Sequence, residues 1–144
     1  MTVVSVRESR AWSGSVATVV LLKKMKKGNP PPVVPGHDEG RLSEEAFLRD
    51  FAGDLAEAKA KALYAVQWPF HKALLTGKTT HAAWRSKPSW YAVSTEDRTI
   101  NPDLERFMAK RMGAKTIEVK ASHVSLISQP DTITNLILEA AGQK

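Results

Sequence analysis

Two polar residues in this sequence stand where an acid and a base could cooperate. Asp97 follows the apolar run "PSWYAVS" and lies in the polar cluster "TEDRTI". His123 follows the alternating run "TIEVKA" and precedes the helix start "SQPD". A carboxylate beside an imidazole can fix its tautomer, orient its ring and stabilise the imidazolium, which equips the other ring nitrogen to act as a general base. A histidine after a strand is more often an ordinary loop residue, so the pairing with an acid is what raises its interest. Glu96, Asp103 and Asp131 compete for that acid's role. Asp103 and Asp131 each fall in a helix's first turn, where the helix dipole accounts for them. Asp97 is preferred, and Glu96 stays open as a rival.

The flanking elements determine whether the two residues can meet. The runs at 88–94 and 116–121 have the branched and aromatic composition of strands. Between them "NPDLERFMAKRMG" offers Asn101 as cap, Pro102 in the first turn and Gly113 past the end, with Leu104, Phe107, Met108 and Arg111 as the inner face. A last helix opened by Pro130 and Asp131 buries Ile133, Leu136, Ile137 and Ala140. Strand, helix, strand, helix implies two parallel strands joined by a right-handed crossover. In such sheets ligands and catalytic groups collect beyond the carboxyl ends of the strands. Adjacent strands would then put Asp97 and His123 side by side.

The earlier chain reads differently. Residues 1–14 lack sustained periodicity. "SVATVVLLKKMKKG" suits a short helix, although Val19 and Val20 leave a strand possible, and "NPPPVVPGHDEG" is a proline-rich loop. From Ser43 onward the pattern is helical. Ser43 caps, Glu44 and Glu45 complement the dipole, and Phe47, Phe51 and Leu55 form one stripe. Gly53 and Asp54 divide the run into two helices, the second capped by Asp54. "FHKALLTG" reads as a further short helix ending at Gly77. No strand is expected between Ser43 and Gly77.

Composition narrows the function classes. The 144 residues suit one domain, and the absence of cysteine excludes disulfides and thiolate metal sites. No metal or cofactor is expected, because the spacing of His37, His71, His81 and His123 makes no metal site. No run is apolar enough to span a bilayer, and the charged start "VRESR" is unlike a signal peptide, so the expected location is cytoplasmic, without a membrane partner. The net charge of +6 comes partly from "KKMKK" at 23–27, which lacks interleaved aromatic residues. It reads as a solvated face rather than a nucleic-acid surface.

The stretch "KPSWYAVSTEDRTINPDLERFMAKRMGAKTIEVKASHVSLISQPDTITNLI" resembles the C-terminal part of α/β-hydrolase fold proteins, in the small esterase-like group. In that family an acid follows the penultimate strand in a "T-E-D-R-x-I-P" type of segment. The catalytic histidine follows the last strand in an "S-H" segment leading to "S-Q-P". The resemblance implies Asp97 as triad acid and His123 as triad base. "WPFHKALLTGKTTHAAWRSKPSWY" is similar to the end of the family's helical cap. The implied architecture is a partial α/β-hydrolase fold: an uncertain, altered start at 1–14, a helical cap-like segment at 15–85 and the C-terminal part of the core at 86–144.

The resemblance implies a small-molecule ester or acyl substrate, with Trp68, Phe70 and Trp84 lining an apolar acyl pocket. Packing of the cap on the body is the plainer role for those aromatics. The family places its serine in a G-x-S-x-G elbow. No serine here has glycine two residues away on both sides, and "WSGSVA", with Ser13 and Ser15, does not supply the elbow. The expectation is therefore a truncated form retaining Asp97 and His123 without the nucleophile, inefficient by itself and self-associating through an open sheet edge. The alternatives are a non-catalytic interaction or vestigial module and, with less support, a basic nucleic-acid binder.

Overall fold

In a computed structural model, the described residues are 2–5, 33–35, 38–75, 77–78 and 80–143. The expected helix at 15–28, the "KKMKK" run, Ser13, Ser15 and His37 lie outside them.

The two apolar runs that flank Asp97 and His123 are strands β5 (Ser89–Ser94) and β6 (Lys115–Val119). They pair in parallel with Trp90 opposite Lys115 and Ser94 opposite Val119. Period-2 alternation explains the layers. Trp90 and Ala92 face helix α4 (Pro130–Ala140), joining Val119, Ala121, Ile133 and Leu136. Tyr91 and Val93 face the opposite way, against Ala109, Met108 and Met112 of helix α3 (Pro102–Met112). Each helix thus covers one face of a sheet whose central strand is buried on both sides.

Helix α3 begins and ends where its sequence directs. The Asn101 side chain accepts the Asp103 N–H at 2.8 Å, and Gly113 adopts a left-handed φ of 61° that lets its N–H reach the last carbonyls. Its buried face is Leu104, Glu105 and Ala109. The expected inner position Phe107 is instead 52% exposed, and Arg111 is also exposed. The inward face runs through Leu104, Glu105, Met108, Ala109 and Met112, so it includes a carboxyl group and leaves Phe107 outside.

Strand β1 (Thr2–Ser5) pairs antiparallel with β5, giving a three-stranded sheet of order β1-β5-β6. Strand β5 therefore has a partner on each side, where the expectation was a sheet of two parallel strands. Among the described residues, β6 has β5 as its one strand partner. Its charged residues Lys115 and Glu118 form ion pairs with Glu139 and Arg106.

The proline-rich loop expected at 29–40 and the strand-free run expected from Ser43 to Gly77 are both corrected. Strands β2 (Val33–Pro35) and β3 (Glu39–Leu42) pair antiparallel, the first inside the supposed proline-rich loop and the second running out of it. Strand β4 (Phe70–His71) adds to β3 within the supposed helix at 70–77, which retains one 3₁₀ turn at Lys72–Leu75. Long-range pairing overrode local preference in these short stretches. Helix α1 (Glu44–Ala46), capped by the Ser43 hydroxyl, runs directly into a π-helical turn at Phe47–Phe51. Helix α2 (Glu57–Ala65) follows.

Asp54 does not cap α2: that helix has Ala56 at its N-cap position and no side-chain cap. Phe47, Ala52, Ala60 and Val124 form a separate core, flanked by Phe51, Leu55 and Tyr64. Through Val124 this core packs the α1–α2 segment directly against the loop after β6.

Candidate active site

The parallel ladder continues past the ends of its strands. The Thr95 N–H donates to Val119 O at 2.9 Å, and the Glu96 N–H donates to Ala121 O at 3.1 Å. These bonds hold the two loops together and bring their next residues to the same level. His123 Nδ1 lies 2.7 Å from Asp97 Oδ2. Asp97 and His123 meet at the carboxyl ends of two parallel strands.

Asp97 is 4% exposed and fully committed. Its Oδ1 accepts the Thr99 N–H at 2.7 Å and the Ile100 N–H at 2.9 Å, while Oδ2 faces the imidazole. Burial pushes the carboxyl up. The bond to His123, the imidazole's charge and the two backbone donors outweigh burial and hold the carboxyl below its usual range. A carboxylate so placed requires the proton on His123 Nδ1, which leaves Nε2 as the basic nitrogen. Glu96, the rival acid, is exposed and lies 3.8 Å from Lys120.

Residues 50–54 brace both loops. The Thr99 hydroxyl donates to Asp50 O at 3.3 Å, and Arg98 lies 3.8 Å from the Asp50 carboxylate. On the other loop, Ser122 N–H donates to Asp54 Oδ2 at 2.9 Å. The Ser122 hydroxyl lies 3.1 Å from Phe51 O and in close contact with Asp54 Oδ1. Burial pushes the Asp54 carboxyl up, but its hydrogen bonds, that of the Ser122 hydroxyl foremost, prevail and lower it. The π-helical turn closes with the Ala52 N–H on Phe47 O at 2.9 Å. It delivers the Phe51 ring to a centroid distance of 4.7 Å from the imidazole. Gly53 is required there, because a Cβ would fall 2.5 Å from Arg49 O.

The three aromatics expected to line a pocket occupy different settings. Trp68 is 87% exposed, Phe70 is half-buried in β4, and Trp84 is half-buried beneath the guanidinium groups of Arg85 and Arg111, 5.0 and 5.7 Å from its centroid. The ring packed on His123 is that of Phe51. Sequence reasoning missed Phe51, Asp54 and Glu105 as partners of the site. Glu105 had a visible signal, since it occupies an inward position of α3 between Leu104 and Ala109. Asp54 had none, because its partner Ser122 is remote in the chain.

Among the described residues, no group of three or more His, Asp or Glu side chains could hold a metal ion, and no helix is long and apolar enough to cross a membrane.

A family model described as "Alpha/beta hydrolase family" matches residues 9–136. The alpha/beta hydrolase nvfD of Aspergillus novofumigatus is 26% identical over 129 residues, covering 85% of this chain and 51% of that protein. The chain thus spans about half the length of the curated relative that it matches. No solved structure matches it.

Proposed function

The chain belongs to the alpha/beta hydrolase family, and we propose that it carries the acid–base half of a serine-hydrolase triad, with Asp97 as acid and His123 as base. The observation that carries this proposal is the 2.7 Å contact between His123 Nδ1 and the buried Asp97 carboxylate. In this role His123 Nε2 takes the proton of an attacking hydroxyl as its oxygen bonds to an ester or acyl carbonyl. The same nitrogen then returns the proton to the leaving group as the carbonyl–leaving-group bond breaks. Asp97 stabilises the imidazolium between those transfers without itself taking the proton. Substrates would be small esters or related acyl compounds, and the Phe51 ring supplies an apolar surface beside the imidazole.

The sequence favours a further reading for this chain by itself. It holds no serine in a G-x-S-x-G setting, so neither a nucleophile elbow nor its adjoining oxyanion donor is identified. Loss of the nucleophile in another serine hydrolase costs on the order of 10⁶ in turnover. We therefore expect at most slow, His123-dependent hydrolysis of activated esters. The test is a short-chain nitrophenyl ester assay of the chain and of His123→Ala, together with a serine-reactive probe. Slow turnover lost in His123→Ala, without labelling, supports the proposal. Turnover indifferent to His123→Ala overturns the base assignment, and stoichiometric labelling of one serine overturns the inference that the nucleophile is lacking.

A further inference from the structure

Behind Asp97 lies a second acid that the proton transfers above do not use. Glu105 is 0% exposed and projects from α3 toward the end of β5. Its Oε2 accepts the Ser94 N–H at 3.2 Å, its Oε1 is buried without an N–H or hydroxyl donor among the described residues, and its carboxyl lies against that of Asp97. The titratable groups facing it among the described residues are Asp97, from the loop after β5, and Tyr91, from β5 itself. None of the ion pairs among the described residues joins a Lys or Arg to Glu105.

A second carboxylate in that enclosure would be desolvated and would repel Asp97, whose negative charge is already secured by two backbone donors and an imidazole. We propose that Glu105 is a positioning residue for the Asp97–His123 pair, a sealed neutral acid whose donor bears on Asp97 and keeps its carboxylate aligned with the imidazole. The inference rests on the reading of Asp97 and His123 as acid and base, and it assigns the control of their alignment to the helix behind them. Burial first, and then the neighbouring Asp97 charge, push the Glu105 carboxyl up to about 8. Above that range a second negative charge appears behind Asp97, and the pair is strained by repulsion.

The proposal is tested on the whole chain by following the ring signals of His123 by NMR across pH, in wild type, Glu105→Gln and Glu105→Ala. The Trp90 indole N–H, which is bonded to Glu139 at 2.7 Å, reports that the fold is intact. Wild type is expected to show a change in the His123 signals near pH 8, where Glu105 ionises. Glu105→Gln keeps a donor but cannot ionise, so the downfield Nδ1–H signal persists and that change disappears. Glu105→Ala, folded by the Trp90 criterion, is expected to lose the downfield signal.

An unchanged profile in both variants overturns the proposal. If Glu105→Ala does not fold, Glu105→Gln decides alone: retention of the change near pH 8 overturns the proposal, and its loss supports it. Because the readout needs no turnover, an inactive chain leaves this test standing. A flat result here leaves the hydrolase proposal to its own assay.

Discussion

Asp54 grips Ser122 at two points, taking its backbone N–H on Oδ2 at 2.9 Å and meeting its hydroxyl through Oδ1. Ser122 immediately precedes His123. The position of the imidazole is thus set from two directions, by Asp97 through the ring and by Asp54 through the backbone.

Asp54→Ala should destabilise the fold by roughly 1–2 kcal/mol, because the buried Ser122 N–H loses its acceptor and the hydroxyl keeps only Phe51 O, while partial solvent screening limits the loss. Denaturant unfolding of the variant measures it. Since the folded carboxyl is depressed, its contribution is present above the ordinary value of 3.8 and is lost as pH falls through the folded value. The wild-type and variant stability curves should therefore converge in acid.

Asp97→Asn should invert the imidazole. The amide oxygen can take the two backbone N–H groups, which turns its NH₂ toward His123 and favours the tautomer protonated on Nε2. Nitrogen chemical shifts of the ring report the switch. Asp97→Ala removes all the bonds at once and should cost about 2–4 kcal/mol.

Glu105 should make the fold less stable as pH rises. Its folded carboxyl, raised to about 8, holds a proton that the unfolded chain releases above about 4.5. Its neutral burial therefore supports the fold fully below the unfolded value, and that support is lost as pH climbs through the folded one. Denaturation midpoints compared at about pH 5 and about pH 8 should show the decline in wild type and a flatter profile in Glu105→Gln.

Gly53→Ala should lose roughly 1–3 kcal/mol, because its Cβ meets the Arg49 carbonyl oxygen, a backbone atom that cannot swing aside. Relief of that contact shifts Asp54, so the amide resonance of Ser122 should move with the loss of stability. A variant as stable as wild type, with Ser122 unmoved, would show that the turn accommodates a side chain.

Much of the acid–base pair was legible because its determinants are local. The branched and aromatic run at 89–94, the Asn101 cap, the Gly113 terminus and the apolar face of 130–140 each specify their element from nearby residues. A strand–helix–strand connection of that length then leaves little choice but parallel strands, which places the loops holding Asp97 and His123 at one end of the sheet. The short strands at 33–35, 39–42 and 70–71 were not legible, since two to four residues carry too little pattern and each strand forms only when its partner is present.

Only the tertiary structure decided what surrounds the pair. Asp54 adjoins a helix-breaking Gly53 and looks from sequence like a cap, yet its hydrogen bonds go to Ser122, 68 residues away. The ring beside His123 is that of Phe51 because a π-helical turn, and not a regular helical stripe, sets its direction. Glu105 has the type and spacing of a residue on α3, but its neutrality follows from enclosure beside Asp97. A residue's type fixes what it can donate, accept or ionise. Which of those capacities is used depends on the neighbours and the solvent exclusion that packing creates.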